Sequence, residues 1–229
     1  MARAHIEFIQ SQVLPWTDLD TGSSRPGAII KVLSHDPDTS AGSAIIRYPE
    51  GWVLDESHHV AGDEEFFVLE GSLTIDTHIF EPYGYGYLPG GFPRQRMSAP
   101  NGAAVLTFFN GSPRRVAGTS SFDAGQVITL ESRDQADWTS DFDHSLVGSG
   151  IAIKFLRNDS ASGERTWLLT KGTNRREDLP QTGRIETHPC VEEFFLLEGS
   201  LGWPRGMMRP GAYFWRPPGI AHGPGAALT

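Results

Sequence analysis

Four residues near the end of the chain carry side chains that bind metals: Glu186, His188, Glu192 and His222. Glu186 and His188 are two apart, so on an extended segment both leave the same face. Glu192 opens the next apolar segment, and His222 closes a Pro217-x-Gly219-x2-His222 turn well downstream. Imidazole and carboxylate donors meeting from three places can hold a first-row metal and leave coordination positions open. An open position admits water, dioxygen or a chelating substrate. Glu186 has the further chemistry of a general base if its pKa is raised towards the reaction pH.

The first half carries a weaker set of the same kind: His58, His59, Glu64 and Arg94. Arg94 stays protonated and cannot ligate. It is expected to pair with Glu64 and fill the place of a metal, or to hold an anionic ligand. Each candidate also has an ordinary structural explanation. A carboxylate opening a strand is commonly a surface group, and His222 fits a turn cap. Cys190, the single cysteine, lies between Glu186 and Glu192. A free cysteine is usually a small buried apolar residue, with metal or redox roles the minor alternative. His5, His35, His78 and His144 have no motif around them and read as surface or hydrogen-bonding residues. Phe194, Trp203, Tyr213 and Trp215 read first as core; any that face a lumen would line a dry pocket.

These residues sit in a duplicated frame. Residues 64–73 read EEFFVLEGSL and residues 192–201 read EEFFLLEGSL, an offset of 128. At the same offset LPGGFPR (88–94) matches RPPGIAH (216–222), and at an offset of 123 IIKVLSHD (29–36) is echoed by AIKFLRND (152–159). Three matches in the same order mean internal duplication. Short apolar segments at Ala44–Tyr48, Phe66–Leu69, Leu73–Ile75, Val105–Phe109, Gly150–Leu156, Trp167–Thr170 and Phe194–Leu197 predict strands separated by turn clusters. Helix is expected only as a turn or two around Ser132–Trp138. The Ser/Gly/Arg-rich stretch Gly111–Gly125 reads as the linker, which divides the chain into domains 1–120 and 121–229.

The LEGSL turn after an EEFF strand, followed by PPGIAH, resembles the two motifs of the cupin superfamily, G-x5-H-x-H-x3–4-E-x6-G and G-x5-P-x-G-x2-H. The chain looks most like the two-domain ChrR-like and uncharacterised bicupins. The resemblance implies an all-β protein of two tandem double-stranded β-helix (jelly-roll) barrels. It implies ligand roles for His188, Glu192 and His222, with Glu186 in the place of the family's first histidine, as fourth ligand or base. In the first half His58 takes the first histidine position, Val60 or His59 the second, Glu64 the glutamate and Arg94 the last histidine. One divalent metal is expected, iron before zinc, manganese or nickel. An enzyme acting on a small organic molecule follows, for example a mononuclear dioxygenase of a ketone or phenol. The alternatives are a non-catalytic ligand- or metal-sensing module of ChrR-like type and a structural bicupin. The chain ends soon after His222, so the second barrel is expected to be open at that end. His5–Val13, or a strand of another subunit, is expected to cover the edge, with a strand-exchanged homodimer as one outcome.

Bulk properties narrow the partners. The net charge is −9, and Lys and Arg are scattered, which argues against nucleic acid. A single cysteine fits a reducing compartment. No signal-like or membrane-spanning apolar run is present, so a cytoplasmic protein with a small-molecule ligand is expected.

Overall fold

The computed structural model describes residues 3–19, 23–118, 120–140, 151–171, 185–203, 205–223 and 226–227. Among the described residues the regular structure is almost entirely β. Among the described residues helix is confined to the 3-10 turns Ser11–Val13, Ala124–Gln126 and Arg133–Gln135. The last of these falls inside Ser132–Trp138 and is closed by a capping box between Ser132 and Gln135. No helix among the described residues is long and apolar enough to cross a membrane.

Two compact units emerge, and no single cut separates them. The first contains residues 1–3, 15–138 and 154–168; the second contains 4–14, 139–153 and 169–229. The hairpin of Ile151–Asn158 with Arg165–Lys171 therefore contributes to both; Gly150, expected at its start, lies outside the described residues. Set against the division expected at residue 120, the difference has a plain cause in strand pairing. The Ile6–Gln10 strand pairs with Ala212–Arg216, and the Ile128–Leu130 strand pairs with Tyr85–Leu88. Nor is Gly111–Gly125 a linker throughout: Arg115–Ala117 pairs with His58–Val60.

In the first unit a seven-stranded antiparallel sheet runs in the order Ile128–Leu130, Tyr85–Leu88, Glu64–Gly71, Ala103–Phe109, Gly42–Tyr48, Ile29–His35, Thr17–Asp18. A four-stranded sheet of Trp52–Leu54, Met97–Ala99, Leu73–Ile75 and His78–Phe80 accompanies it. Alternation along Glu64–Gly71 sends Glu64, Phe66 and Val68 to one face. Phe66 and Val68 join Ile46, Leu73, Phe80, Met97 and Val105 in one buried cluster. That places Glu64 at the polar end of an apolar interior.

In the second unit Ile6–Gln10, Ala212–Arg216 and Glu192–Phe195 form one sheet, and Gly206–Met208, Leu201–Trp203 and Ala226–Ala227 form another. Leu196, Met208, Ala212 and Phe214 are its buried cluster, with Phe8, Phe194, Leu201 and Trp203 packed against it. Phe8 comes from the N-terminal strand, as does Glu7, which accepts a hydrogen bond from Trp203 Nε1 at 2.6 Å. The N-terminal segment expected to cover an edge thus pairs along Ala212–Arg216 in the second unit.

The motif glycines behave alike in both repeats. Gly71 and Gly199, in the two LEGSL turns, have φ of 69° and 76°; Gly91 and Gly219, in the two later turns, have φ of 84° and 82°. Only glycine enters this left-handed region without steric penalty, so the repeated letters mark repeated backbone turns.

Candidate metal centre

In the second unit the backbone brings two distant segments together. Glu186 and His222 form a β-bridge, with Glu186 N–H donating to the His222 carbonyl at 2.8 Å and His222 N–H to the Glu186 carbonyl at 3.0 Å. Gly219 N–H donates to the His188 carbonyl at 2.9 Å, which ties the Pro-x-Gly-x2-His turn to the same segment. One donor atom each from Glu186, His188 and His222 then lies within 4.8 Å of the others. The two imidazole centroids are 5.0 Å apart, and His188 Nε2 is 3.8 Å from Glu186 Oε2.

The donor chemistry fits a divalent cation. His222 Nδ1 is 3.0 Å from the Ile220 carbonyl. With the proton on Nδ1 donated there, the Nε2 lone pair is left for a metal, the arrangement that orients histidine ligands. Glu192 stands beside the trio. Its Oε2 is 3.2 Å from His222 Nε2 and accepts from Arg216 Nη1 at 2.9 Å. Glu192 comes from the start of its strand, opposite Arg216 in the register. Phe194 and Phe214 stack at 5.0 Å next to it, and Trp203 lies 6.4 Å from both the Phe214 and His222 rings. Of the four aromatics weighed from sequence, Phe194 and Trp203 pack into this apolar cluster. Tyr213 and Trp215 alternate to the other face, where Tyr213 donates to Glu193. Cys190 is exposed, against the burial expected of a free cysteine; it sits in the Pro189–Cys190 turn, outside the apolar cluster.

The corresponding place in the first unit holds an ion cluster. Glu64 accepts from Arg94 Nη2 at 2.6 Å on one oxygen and from Arg25 Nη2 on the other. Arg25 Nε donates to the Tyr48 hydroxyl at 2.8 Å. Glu64, Arg25, Arg94 and Tyr48 are each no more than 2 % exposed. Burial pushes the Glu64 carboxyl up, but the two guanidiniums outweigh it and hold it below the usual carboxylate range. His58 is bridged to Arg94 through the backbone and its Nδ1 is 2.8 Å from the Glu56 carbonyl. Burial first, and then the two arginines, lower its pKa against the Glu56 hydrogen bond that raises it. His59, next along the same strand, alternates away, with Nδ1 3.1 Å from the Gly118 carbonyl. His78 is 2.7 Å from Glu131 and His5 3.7 Å from Glu7; His144 lies outside the described residues.

Sequence reading did not single out Arg25 or Arg216. Arg25 sits in a turn without a motif, so nothing marked it. Arg216 left a trace, since the first repeat has Leu88 at the matching position. An arginine in place of a buried leucine is a signal that the duplicated copies alone can give.

Residues 5–113 match the family model of the ChrR cupin-like domain. No curated protein sequence matches the chain. Among solved structures, a candidate dioxygenase from Nostoc punctiforme is similar over 99% of this chain and 83% of its own, with 16% identity and a TM-score of 0.80. A candidate glyoxylate-induced protein from Pseudomonas aeruginosa covers the same shares at 15% identity and a TM-score of 0.63. A variant of Bacillus subtilis oxalate decarboxylase, an enzyme with Mn(II) centres, covers 99% of this chain and 74% of its own at 11% identity, with a TM-score of 0.61. At these identities the likeness is one of fold.

Proposed function

We propose that the chain is a cupin, a reading supported by the match of residues 5–113 to the ChrR cupin-like domain, that its second unit binds one divalent metal, and that the protein is an enzyme acting on a small organic molecule. The observation that carries this reading is the convergence of donor atoms from Glu186, His188 and His222 to within 4.8 Å. Iron(II) is the favoured occupant, because two imidazoles with carboxylate support leave positions open; manganese, nickel and zinc suit the same donors. When bound, the metal supplies Lewis acidity and coordination positions for a chelating substrate. A ketone or phenol oxygen is the substrate group that fits such positions, and dioxygen-dependent oxidation is the reaction class we favour.

The chain's own residues have separate tasks. His222, fixed by the Ile220 carbonyl, presents Nε2, and His188 faces it across 5.0 Å. Glu186 is the proton acceptor, since it is the half-exposed carboxylate of the trio, whereas Glu192 is held by Arg216. Phe194, Phe214 and Trp203 keep water from one side of the cluster. A second reading, a ligand-sensing module, draws on the ChrR cupin-like match over residues 5–113, which carry the arginine-filled cluster. Binding without turnover would favour it.

Elemental analysis of the purified protein beside His188→Ala and His222→Ala tests the site. About one equivalent of metal is expected in the parent, lost in both variants, while Glu64→Gln keeps it. Equal metal in the parent and both histidine variants would overturn the assignment.

A further inference from the structure

Arg216 stands opposite Glu192 in the register of the strands Ala212–Arg216 and Glu192–Phe195. In the first repeat the same register sets Leu88 opposite Glu64. One position of the duplication therefore holds a leucine in one copy and an arginine in the other, each across from the motif glutamate. The first repeat meets its glutamate from elsewhere, with Arg25 and with Arg94 at the position of His222. In the second repeat the arginine stands earlier in the motif, and the place of Arg94 is left to a histidine that can ligate.

The Arg216 side chain is held in place. It is only 2 % exposed, and its Cζ lies 3.6 Å from the Phe214 ring centroid and 4.9 Å from that of Trp203. Among the described residues Glu192 is its only ion-pair partner, with Nη1 donating to Oε2 at 2.9 Å. A buried guanidinium with one carboxylate partner binds that carboxylate firmly, because release strands a cation in low dielectric. Glu192 is half-buried, yet its oxygen cannot swing into solvent at small cost. The same Oε2 is 3.2 Å from His222 Nε2. Glu192 is not one of the three donors that lie within 4.8 Å of one another, but its distance from His222 is that of two donors on one ion. With bonds of about 2.1 Å at right or tetrahedral angles, two donors on a first-row metal stand about 3.0–3.4 Å apart.

We infer that Arg216 is a positioning residue of the metal centre: it holds Glu192 Oε2 beside His222 Nε2, so that Glu192 serves as a further donor to the cation held by Glu186, His188 and His222. The inference rests on the reading of that trio as a metal site. A carboxylate oxygen has lone pairs for both partners, so Nη1 keeps its hydrogen bond while Oε2 faces the cation. A guanidinium also repels a cation. Paired with Glu192 it is close to neutral as seen from the metal, so the ordering of the donor is the larger effect. Leu88 offers Glu64 no such support, and Glu64 pairs with two arginines instead.

Cobalt(II), whose visible absorption depends on the number and kind of its donors, tests this in titrations of the full-length protein. The parent is expected to take up about one equivalent. Arg216→Leu, which installs the residue of the first repeat, is expected to bind cobalt about 10- to 100-fold more weakly and to show the spectrum of Glu192→Gln. In the Glu192→Gln background the leucine substitution costs no further affinity. Arg216→Lys, which keeps a charged donor, retains the parent's spectrum. If Arg216→Leu does not fold, Arg216→Met, of similar length and able to pack on Phe214 and Trp203, is read in its place. If Glu192→Gln does not fold with its arginine unpaired, the double variant supplies the reference spectrum. Cobalt bound as tightly as by the parent, or more tightly, in a folded leucine or methionine variant overturns the inference; tighter binding means that the arginine only repels the cation. A Glu192→Gln spectrum identical to the parent's overturns it too, because the carboxylate is then no donor. No cobalt bound by the parent sinks the metal reading and the inference together. Cobalt bound by the parent and lost in His222→Ala, but indifferent to Arg216, leaves the metal reading standing and removes this inference alone.

Discussion

Glu64 receives Arg25 on one carboxylate oxygen and Arg94 on the other, with all three side chains shut away from water. Two buried cations depend on that one anion, so its removal leaves charge in low dielectric without a partner. Glu64→Gln is expected to lower stability by about 3–5 kcal/mol, measured by urea unfolding. The pH dependence follows from two depressed pKa values, those of Glu64 and His58. A group depressed in the folded state favours folding above its unfolded pKa and withdraws that contribution as pH falls through its folded value. Stability is therefore expected to decline once pH drops below about 6.5, where His58 would charge in the unfolded chain, and further through the glutamate range. The gap between parent and Glu64→Gln should narrow over that second window; a gap constant with pH would show that Glu64 is not the responsible group. The pairing of Arg94 with Glu64 was legible from residue types, because an arginine at a ligand position has few other uses. Arg25 was not, because it reaches Glu64 only when a distant turn folds over the strand.

At the scale of single elements, local pattern did well where it had length to act on. The segments expected at Ala44–Tyr48, Phe66–Leu69 and Val105–Phe109 lie within slightly longer strands, and Leu73–Ile75, short as it is, is found with the bounds expected because it follows the repeated LEGSL turn. Three-residue strands such as Trp52–Leu54, His58–Val60 and Met97–Ala99 were not anticipated. Three residues are too few to show a period of two, and their pairing is set by neighbours remote in sequence. Turn glycines were legible from the repeat, and they separate two physical effects. Gly51 has φ 74° with open space around a would-be Cβ; Gly71 has φ 69°, and a Cβ there would lie 2.1 Å from the Gly102 carbonyl oxygen. Gly51→Ala should cost only the backbone penalty, about 1–2 kcal/mol. Gly71→Ala should cost distinctly more, because the strand at Gly102 must also move. Thermal melts of the two variants check the order, and equal losses would mean that the Gly71 turn relaxes freely.

At the scale of the whole molecule the two repeats exchange their opening strands. Ile6–Gln10 pairs in the second unit, where Ile9 stands opposite Tyr213, and Ile128–Leu130 pairs in the first, where Leu130 stands opposite Tyr85. Tyr85 and Tyr213 are equivalent positions in the duplication. Each repeat thus lacks a strand of its own sheet and supplies one to the other's. A fragment 1–120 lacks Ile128–Leu130, and a fragment 121–229 lacks Ile6–Gln10 with Glu7 and Phe8. Neither fragment is expected to give a cooperative unfolding transition alone, whereas the two expressed together should. A cooperative transition in isolated 121–229 would show that the N-terminal strand is dispensable.

The sequence alone determined the duplication, the β class, the repeated turns and the residue types at both candidate sites, because each of these is written in local pattern and spacing. Tertiary structure decided the rest: which unit each opening strand joins, that Glu192 is shared with Arg216, and that Arg25 closes the first cluster. Those outcomes depend on which distant side chains share a low-dielectric interior, where an unpaired charge is too costly to persist and must find a partner wherever the fold places one.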